Sequence, residues 1–269
     1  MTRSVDFKGR YGPWALVTGA SSGMGAEFAR QLAGKGMNLV LVARREQALA
    51  ELKRGLEQRD GVSVRVLAQD LTDEAALPAI AEATEDLEIG LLVPCAGVET
   101  HGNFLGNRIE QEEGMMMVNM VSPLALAHHF AARMAARGRG GIVFVAATLG
   151  YQPVPYFANY AASKAYVLAL GEALHFELKG KGVDVTVLSP GLTRTPFGKA
   201  LELDIDFSRM PMRSMAPEPV VAAALAALGR RSAVVPGTMN RVMAFAAQRI
   251  LPRARAAGLF GGMIEKAMR

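Results

Sequence analysis

Short apolar runs alternate with longer segments of helical periodicity along most of the chain. The short runs predict strands at residues 14–17, 38–42, 62–67, 90–93, 141–147, 183–188 and 233–235. The segments between them predict helices at residues 26–35, 46–59, 73–87, 107–137, 161–178 and 220–228. This alternation indicates an α/β fold, a Rossmann-type doubly wound parallel sheet of about seven strands in a three-layer α/β/α arrangement. We expect its ligand at the carboxyl ends of the strands.

One dinucleotide-binding domain is predicted over residues 1–240, because no internal repeat or second domain interrupts the pattern. Residues 241–269 form a basic amphipathic tail, with six basic residues and one acidic residue among apolar ones. Two interpretations stay open. The tail packs on its own domain or a partner subunit, or it makes a peripheral contact with an anionic membrane surface.

Composition narrows the classes of protein. The chain has 269 residues, of which 51% are hydrophobic, enough for one large core. The single cysteine, Cys95, rules out an internal disulfide and fits a reducing compartment, so we expect a cytoplasmic location. The net charge of +5 comes from scattered residues and aromatic residues make up 6%, so we expect no nucleic-acid partner. The four histidines lack neighbours with metal-ligand spacing, so we expect no metal site.

A glycine-rich turn joins the first predicted strand to a helix. Glycines let the backbone approach a pyrophosphate, and the amides of the helix N-terminus face its charge. An ordinary turn is the alternative, but the glycine spacing between a strand and a helix favours dinucleotide binding. The candidate cofactor residues of this turn are Thr18, Gly19, Ser21, Ser22, Gly23, Met24 and Gly25.

The ends of the second and third strands indicate which dinucleotide binds. Arg44 and Arg45 stand where a carboxylate would contact the ribose of NAD, and arginines suit a 2′-phosphate instead. We therefore predict NADP(H), with solvated arginines as the alternative. Asp70, followed by Leu71, is a candidate adenine contact, and capping of a helix N-terminus by Asp70 is an equal alternative.

Tyr160 and Lys164 are four residues apart in a predicted helix and share one of its faces. A phenol beside an ammonium can give a proton to a carbonyl oxygen or take one from an alcohol. We expect the positive charge to lower the Tyr160 pKa from its ordinary value of about 10. Taken alone, such a pair is more often a solvated helix face.

Pro123 lies four residues after Asn119 in the long predicted helix. It has no amide hydrogen to donate to the Asn119 carbonyl. That carbonyl could hold a water inside the helix layer, or the proline could simply kink the helix. This segment alone does not decide between the two.

Together these residues resemble the short-chain dehydrogenase/reductase family over nearly the whole chain. The matching motifs are Thr18-Gly19-x-x-x-Gly23-x-Gly25, Ala96-Gly97, Asn119, Tyr160-x-x-x-Lys164, and Pro190-Gly191 with Thr195. The resemblance implies a nicotinamide cofactor and hydride exchange between a carbonyl and an alcohol. It also implies a homodimer or homotetramer, formed through the two long helices around residues 107–137 and 158–180.

The resemblance assigns roles to individual residues. Tyr160 becomes the general acid/base, and Lys164 tunes it and holds the nicotinamide ribose. Asn119 supports a water in the proton relay. The remaining cofactor contacts that it implies are Ala96, Gly97, Pro190, Gly191, and Leu192 and Thr195 against the nicotinamide carboxamide.

Two positions depart from the family pattern. Ala147 stands where the family usually has a serine that donates to the substrate oxygen, thirteen residues before the tyrosine. Thr148 is adjacent, but a one-residue shift in a strand turns the side chain to the other face, so Thr148 needs a local bend to replace the serine. Pro94 and Cys95 replace two asparagines, and Pro94 should lie at the end of its strand because proline removes a ladder donor.

Apolar loops indicate a hydrophobic substrate. One is the loop before Tyr160, and the other is the connection at 196–219, a predicted lid with Phe197, Phe207, Met210, Met212 and Met215. We therefore predict an NADP(H)-dependent oxidoreductase for a small hydrophobic carbonyl or alcohol. Ala147 motivates an alternative, a catalytically impaired NADP(H)-binding sensor or scaffold, and elimination or epimerisation with the same tyrosine is a third possibility.

Overall fold

The structure, a computed structural model, describes residues 6–196 and 214–268. Its strands are β1 (Trp14–Thr18), β2 (Asn38–Ala43), β3 (Val64–Ala68), β4 (Ile89–Val93), β5 (Gly140–Val145), β6 (Val183–Leu188) and β7 (Ala233–Val234). Its α-helices are α1 (Phe7–Tyr11), α2 (Gly23–Ala33), α3 (Glu46–Asp60), α4 (Ala76–Glu82), α5 (Ile109–Met116), α6 (Ser122–Arg137), α7 (Ala158–Lys179), α8 (Pro217–Ala227), α9 (Thr238–Arg249) and α10 (Arg253–Met268).

The seven strands form one parallel sheet in the order β3-β2-β1-β4-β5-β6-β7. In β2, Leu39 and Leu41 pack into the core on one face, whereas Val40 and Val42 pack into the core on the other. Burial on both faces explains why the strands are continuous apolar runs rather than alternating ones. The predicted Rossmann-type fold is confirmed.

The order of the strands reverses at β1, which pairs with β2 on one side and with β4 on the other. In an open parallel sheet, this reversal leaves a crevice at the carboxyl ends of the two strands. The glycine-rich turn after β1 and the loop after β4 both begin there. Pro94 directly follows β4, so the prediction that it lies at a strand end is confirmed.

The long predicted helix at 107–137 contains a π-helical segment, Met117–Val121, between α5 and α6. Within it, the Ser122 amide binds the carbonyl of Met117, five residues back. The segment contains Asn119, and Pro123 follows it in the first turn of α6, where a proline leaves one helical hydrogen bond unmade. Such bulges occur often at functional sites.

Two predicted elements extend further than the structure has them. The helix predicted at 73–87 begins later, at Ala76, because the side chains of Asp70 and Asp73 bind the amides of Thr72 and Ala75 and hold the preceding segment in turns. It also ends earlier, at Glu82. The strand predicted at 141–147 ends at Val145. Ala147 therefore lies beyond the strand, in extended conformation, before a 3₁₀ turn at Thr148–Tyr151.

The tail forms α9 and α10. Ala256 and Ile264 of α10 are buried, and exposed apolar side chains stand on α9 and at its end, among them Val242, Phe245 and Ile250. The boundary predicted at residue 240 falls inside α9, and the division of the chain there stays a prediction. Within the described ranges, no helix combines the length and the apolar character that crossing a membrane requires.

Candidate active site

The glycine-rich turn lies directly against the loop that follows β4. Gly19 has a φ of 67°, and a Cβ atom on it would come within 2.8 Å of the Cα atom of Ala96. The Thr18 hydroxyl accepts a hydrogen bond of 3.0 Å from the Ala96 amide. Gly23, with a φ of 57°, begins α2. The turn therefore fits a pyrophosphate, because its glycines carry no side chains that would keep a ligand from the backbone and the first amides of α2.

Arg45 follows the end of β2, and its side chain points back to the glycine-rich turn. Its guanidinium donates to the Ser21 hydroxyl at 3.0 Å and to the Ser21 carbonyl at 3.3 Å. Arg44 is exposed and lies 3.8 Å from the carboxylate of Asp70. The two arginines therefore place positive charge beside the glycine-rich turn.

The Asp70 carboxylate accepts hydrogen bonds from the amide and the hydroxyl of Thr72. Burial acts to raise its pKa, but the Thr72 bonds and the Arg44 charge outweigh this and leave the pKa lowered. Asp70 thus shapes the turn before α4, whose N-cap is Ala75. The predicted capping of the helix is therefore wrong, and the adenine contact stays a prediction. Leu71 is buried beside it.

The segment after β6 borders the glycine-rich turn. Thr195 lies beside the turn, because a Cβ atom on Gly23 would be 3.1 Å from the Thr195 Cβ atom. The Pro190 carbonyl accepts from the Thr148 amide at 2.9 Å, and Leu192 accepts from Met215. Residues Phe197, Phe207, Met210 and Met212 of the predicted lid lie outside the described residues.

Helix α7 buries Tyr160 and Lys164 one turn apart. The Lys164 ammonium nitrogen lies 5.6 Å from the centre of the Tyr160 ring and donates to the Val145 carbonyl at 3.3 Å. Between them in sequence, the Ser163 hydroxyl donates to the Tyr160 carbonyl at 2.7 Å. The pair therefore faces the end of the sheet, not solvent.

Asn119 fastens the loop after β4 to this pair. Its side-chain oxygen accepts from the Val98 amide at 3.0 Å, and its nitrogen donates to the Val98 carbonyl at 2.8 Å. The same nitrogen donates to the Ser163 hydroxyl at 3.1 Å. A Cβ atom on Gly97 would lie 3.5 Å from both the Asn119 oxygen and the Lys164 nitrogen, so Gly97 borders both groups.

The pKa of Tyr160 differs from the expectation drawn from the sequence. Burial raises the pKa of the Tyr160 phenol above its ordinary value, and the nearby Glu99 carboxylate raises it further. Burial lowers the pKa of Lys164 to about 8, with Cys95 and Glu99 acting in the opposite direction. The prediction that Lys164 lowers the Tyr160 pKa is wrong for this structure, because loss of solvent around the phenol dominates. Tyr160 is thus set to keep its proton.

Three further polar residues of the site were missed at the level of sequence. Glu99 is buried two residues beyond Gly97, and Ser163 links Asn119 to Tyr160. Glu112 of α5 accepts hydrogen bonds from Thr100, from Asn107, and, at 2.7 Å, from Asn159. Asn159 directly precedes Tyr160, which was the one available signal. Glu112 therefore anchors the start of α7.

Apolar side chains surround the Tyr160 ring. Val154 and Phe157 come from the loop before α7, and Phe260 and Ile264 come from α10. Ala147 is buried, and Thr148 begins the following 3₁₀ turn. The surroundings of the Tyr160 ring are therefore mainly apolar.

The short chain dehydrogenase family model matches residues 13–206. The chain belongs to the short-chain dehydrogenase/reductase family. It is 33% identical over 237 residues to a 7beta-hydroxysteroid dehydrogenase of Clostridium sardiniense, covering 88% of this chain and 90% of the relative.

Two solved structures resemble this member of the family in fold. One, from work on the stereoselectivity of 7beta-hydroxysteroid dehydrogenase, has a TM-score of 0.86 and 30% identity, and covers 94% of this chain and 98% of its own. The other, a short-chain dehydrogenase of Sphingobium yanoikuyae in complex with NADPH, has a TM-score of 0.78 and 35% identity, and covers 88% and 93%. The prediction of an oxidoreductase of this family is confirmed.

Proposed function

We propose that this protein is an NADP(H)-dependent oxidoreductase that interconverts a bulky hydrophobic carbonyl compound and its alcohol, with oxosteroids and hydroxysteroids as the favoured class. The observation that carries the proposal is the buried Tyr160–Lys164 pair. It lies beside a dinucleotide cradle and is held to the loop after β4 through Asn119.

The chain's own residues fit NADP(H). The glycine-rich turn receives the pyrophosphate, and Arg45, held by Ser21, faces a 2′-phosphate. Thr195 and Leu192 border the nicotinamide end, and Lys164 holds the adjoining ribose. When bound, the cofactor supplies the hydride. The relative from Sphingobium yanoikuyae binds NADPH, in agreement with this choice of cofactor.

Tyr160 supplies the proton in the direction of reduction. Its phenol has a raised pKa, so it is protonated at neutral pH and can donate to the substrate oxygen as charge develops there. Ser163 and Asn119 hold the helix and the loop in register. The π-helical segment at Met117–Val121 fits the hypothesis that the Asn119 carbonyl holds a water of the proton relay.

The substrate class rests on the apolar surroundings of Tyr160. Val154, Phe157 and Ile264 are buried in one cluster with its ring, and the partly buried Phe260 packs against that cluster. A rigid polycyclic substrate buries a large apolar area there without losing much conformational freedom. The relatives that are hydroxysteroid dehydrogenases act on substrates of this shape.

Ala147 favours a second candidate function, an NADP(H)-binding protein that senses or scaffolds without turnover. A missing preorganised donor typically lowers the rate by about 10²–10³. In the main proposal, Thr148 or a water takes over the donor's role. The buried Lys164 and Tyr160 speak against the second candidate, because a binding protein has no need of a proton donor.

A turnover assay distinguishes an oxidoreductase from a sensor or scaffold. The protein is mixed with NADPH and a panel of oxosteroids and other bulky ketones, and loss of the reduced-nicotinamide absorbance is followed, with Ala147→Ser in parallel. We expect turnover by the unmodified protein and a faster rate for Ala147→Ser. Tight NADPH binding with no turnover by the unmodified protein would favour the sensor or scaffold.

The proposal also includes the oligomeric state of the protein. Exposed apolar side chains on α5, α6 and α7 support a homodimer or homotetramer formed through these helices, as the family resemblance implies. Contact of the tail with a membrane surface and a cytoplasmic location stay predictions. Pelleting of the full chain with anionic vesicles, and its absence with neutral ones, is the result expected from the membrane hypothesis.

A further inference from the structure

A crevice of about 310 Å³ lies beside the start of α7. The loop after β4, Glu112 of α5 and the residues just before Tyr160 line it. Sites that enclose a whole small-molecule ligand have volumes of about 300–1,000 Å³, so this crevice is at the lower end and fits one part of a polycyclic substrate. The proton transfer at Tyr160 does not by itself require it.

The crevice adjoins the residue that donates the proton. Asn159, which lines it, directly precedes Tyr160, and Tyr156, which also lines it, lies four residues earlier in the chain. Tyr156 packs against the apolar cluster that contains the Tyr160 ring. A rigid molecule with its carbonyl group at Tyr160 can therefore extend along this cluster and place a remote part of itself in the crevice.

A buried carboxylate, that of Glu112, lines the crevice and is held in a fixed orientation. Its Oε2 atom accepts hydrogen bonds from the Thr100 hydroxyl and the Asn159 side-chain nitrogen, each at 2.7 Å. Its Oε1 atom accepts one from the Asn107 side-chain nitrogen at 2.6 Å. Burial acts to raise the pKa of Glu112, but these hydrogen bonds outweigh it and leave the pKa lowered. The three donors are neutral, so they orient the charge without neutralising it.

The carboxylate of Glu112 has room for one more donor. An ionised carboxyl group offers about four acceptor positions, two on each oxygen. Thr100 and Asn159 occupy both positions on Oε2, whereas Asn107 occupies one on Oε1. Among the described residues, one position on Oε1 is left over. A hydroxyl group of a ligand would fill it and form a charge-assisted hydrogen bond, which is stronger than one between neutral groups.

The two walls of the crevice are joined through a residue in an unfavourable conformation. Tyr156 has a φ of 67°, which a bulky residue adopts rarely. Its carbonyl accepts a hydrogen bond of 2.8 Å from the amide of Gly102, in the loop after β4. Conformations of this kind persist where the surrounding structure enforces them, and they cluster at segments that hold ligands. The conformation of Tyr156 is therefore a second observation that points to binding here.

We infer that this crevice is a substrate subsite that binds a hydroxyl group remote from the reacting carbonyl, with Glu112 as the hydrogen-bond acceptor. Phe104 also lines the crevice and is 62% exposed, so its ring offers an apolar surface to the adjoining ring of the substrate. The subsite makes a hydroxylated oxosteroid a better substrate than the same steroid without that hydroxyl group. This assignment deepens the proposed function and rests on it.

A series of oxosteroids tests the inference. Each member carries one hydroxyl group at a different position remote from the ketone, and the parent without a hydroxyl group is the reference. Values of kcat/KM are measured with saturating NADPH. We expect at least one member to exceed the parent by about 10- to 100-fold, the ordinary effect of a hydrogen bond to a charged group.

Glu112→Gln should lower this ratio of kcat/KM values by at least about tenfold, because the amide keeps the shape and loses the charge. If Glu112 only supported the fold, the variant would slow the reduction of both steroids equally and leave the ratio unchanged. Ala158→Leu is a second variant. Ala158 is exposed and lines the crevice, so a leucine there fills the space and leaves the donors to Glu112 in place. It should lower the same ratio.

Glu113→Gln is the matched control, since it removes the same charge from the exposed neighbouring position of α5. It should keep the ratio of the unmodified protein. The inference is overturned if no hydroxylated steroid is preferred over the parent, if the preference survives both Glu112→Gln and Ala158→Leu, or if Glu113→Gln removes it equally.

A binding measurement separates this inference from the proposed function. The same oxosteroids are titrated calorimetrically into the protein saturated with NADP⁺, which cannot reduce them. We expect the Kd of the preferred member to be about tenfold or more below that of the parent. Such a preference without turnover in the presence of NADPH would refute the proposed function and retain the subsite. Turnover of the parent with equal Kd values throughout the series would overturn the subsite and retain the function, and absence of binding by every member would overturn both.

Discussion

At the end of β2, Arg45 turns back to the glycine-rich turn, whereas Arg44 extends toward Asp70. Hydrogen bonds between charged groups contribute about 1.5–3 kcal/mol, and 1.4 kcal/mol is a factor of ten in affinity. We therefore expect Arg45→Ala to raise the Kd for NADPH by about 10- to 100-fold and to leave NADH nearly unaffected.

Isothermal titration with both cofactors measures this preference. The matched control is Arg54→Ala, which removes an exposed arginine further along α3. Equal weakening of NADPH and NADH by Arg45→Ala would contradict the assignment of Arg45 to a 2′-phosphate.

The buried carboxylate of Glu99 also makes a prediction about stability. Its pKa is raised from 4.5 to about 7, so the folded state binds more protons than the unfolded state between these values. Stability is therefore lost as the pH rises through this window. Glu99→Gln mimics the protonated form and should raise the free energy of unfolding at pH 8 by about 3 kcal/mol relative to its effect at pH 4.5.

Urea denaturation at the two pH values measures the difference. The exposed Glu85 offers a control in Glu85→Gln, which should change little at either pH. If the effect of Glu99→Gln is the same at pH 4.5 and pH 8, the carboxylate does not titrate as described.

Residues with a fixed place in a motif could be predicted from the sequence, and residues whose role depends on burial could not. The helical spacing of Tyr160 and Lys164 put both on one face, where the structure has them. The rise in the Tyr160 pKa could not be foreseen, because it comes from loss of solvent and from Glu99. Glu99 belongs to no motif. Its burial follows from the loop in which it lies, where the Val98 amide is bound by the side chain of Asn119, 21 residues further along the chain.

At the scale of the elements, α7 packs on the sheet through Gly171. A Cβ atom on Gly171 would collide with the Val187 side chain and lie 3.0 Å from Phe144 Cδ2. We expect Gly171→Ala to destabilise the protein by about 1–3 kcal/mol through overpacking. It should also lower turnover, because α7 carries Tyr160 and Lys164.

Gly55 on α3 is the matched control, since a Cβ atom there meets nothing within 4 Å. Gly55→Ala should stabilise by about 0.5–1 kcal/mol, the ordinary gain in helix propensity. Thermal denaturation of the two variants compares them. A neutral or stabilising effect of Gly171→Ala would mean that α7 does not contact the sheet this closely.

Strands were the easiest elements to predict, because each is a short apolar run buried on both faces. The residues at which helices and strands begin and end were harder to predict. Asp70 and Asp73 delay the start of α4 by binding nearby amides, a local competition that periodicity does not reveal. The π-helical segment at Met117–Val121 was indicated only by the proline that follows it.

At the scale of the whole molecule, the exposed apolar side chains predict how copies associate. Leu124 on α6 is 42% exposed and Phe176 on α7 is 73% exposed. Burial of such side chains between subunits is favourable by roughly 25 cal/mol per Å². We expect Leu124→Glu combined with Phe176→Glu to convert the assembly to monomers in sedimentation velocity.

Val242→Glu on α9 serves as the control, because it places the same charge on an exposed apolar position outside the long helices. An unchanged sedimentation coefficient in the double variant, or dissociation by Val242→Glu alone, would show that association uses another surface.

Alternation of strand and helix predicts a parallel, doubly wound sheet with its ligand at the carboxyl ends of the strands, so these features of the whole molecule could be anticipated. The contact of α10 with the loop before α7 could not be predicted from the sequence. Ile264 reaches the Tyr160 cluster from more than a hundred residues away, and no local pattern signals that contact.

The central claim is that the protein transfers a hydride from NADPH to a carbonyl compound with Tyr160 as the proton donor. Transfer of deuterium from labelled NADPH tests this claim most directly. The protein is incubated with NADPH that carries deuterium at the transferable position and with a bulky oxosteroid, and the product is analysed by mass spectrometry. We predict an alcohol with one deuterium on the carbinol carbon, and loss of at least about 10²-fold in its rate of formation for Tyr160→Phe with NADPH binding intact. Labelled alcohol formed equally fast without the Tyr160 hydroxyl, or no labelled alcohol from the unmodified protein despite bound NADPH, would contradict the account.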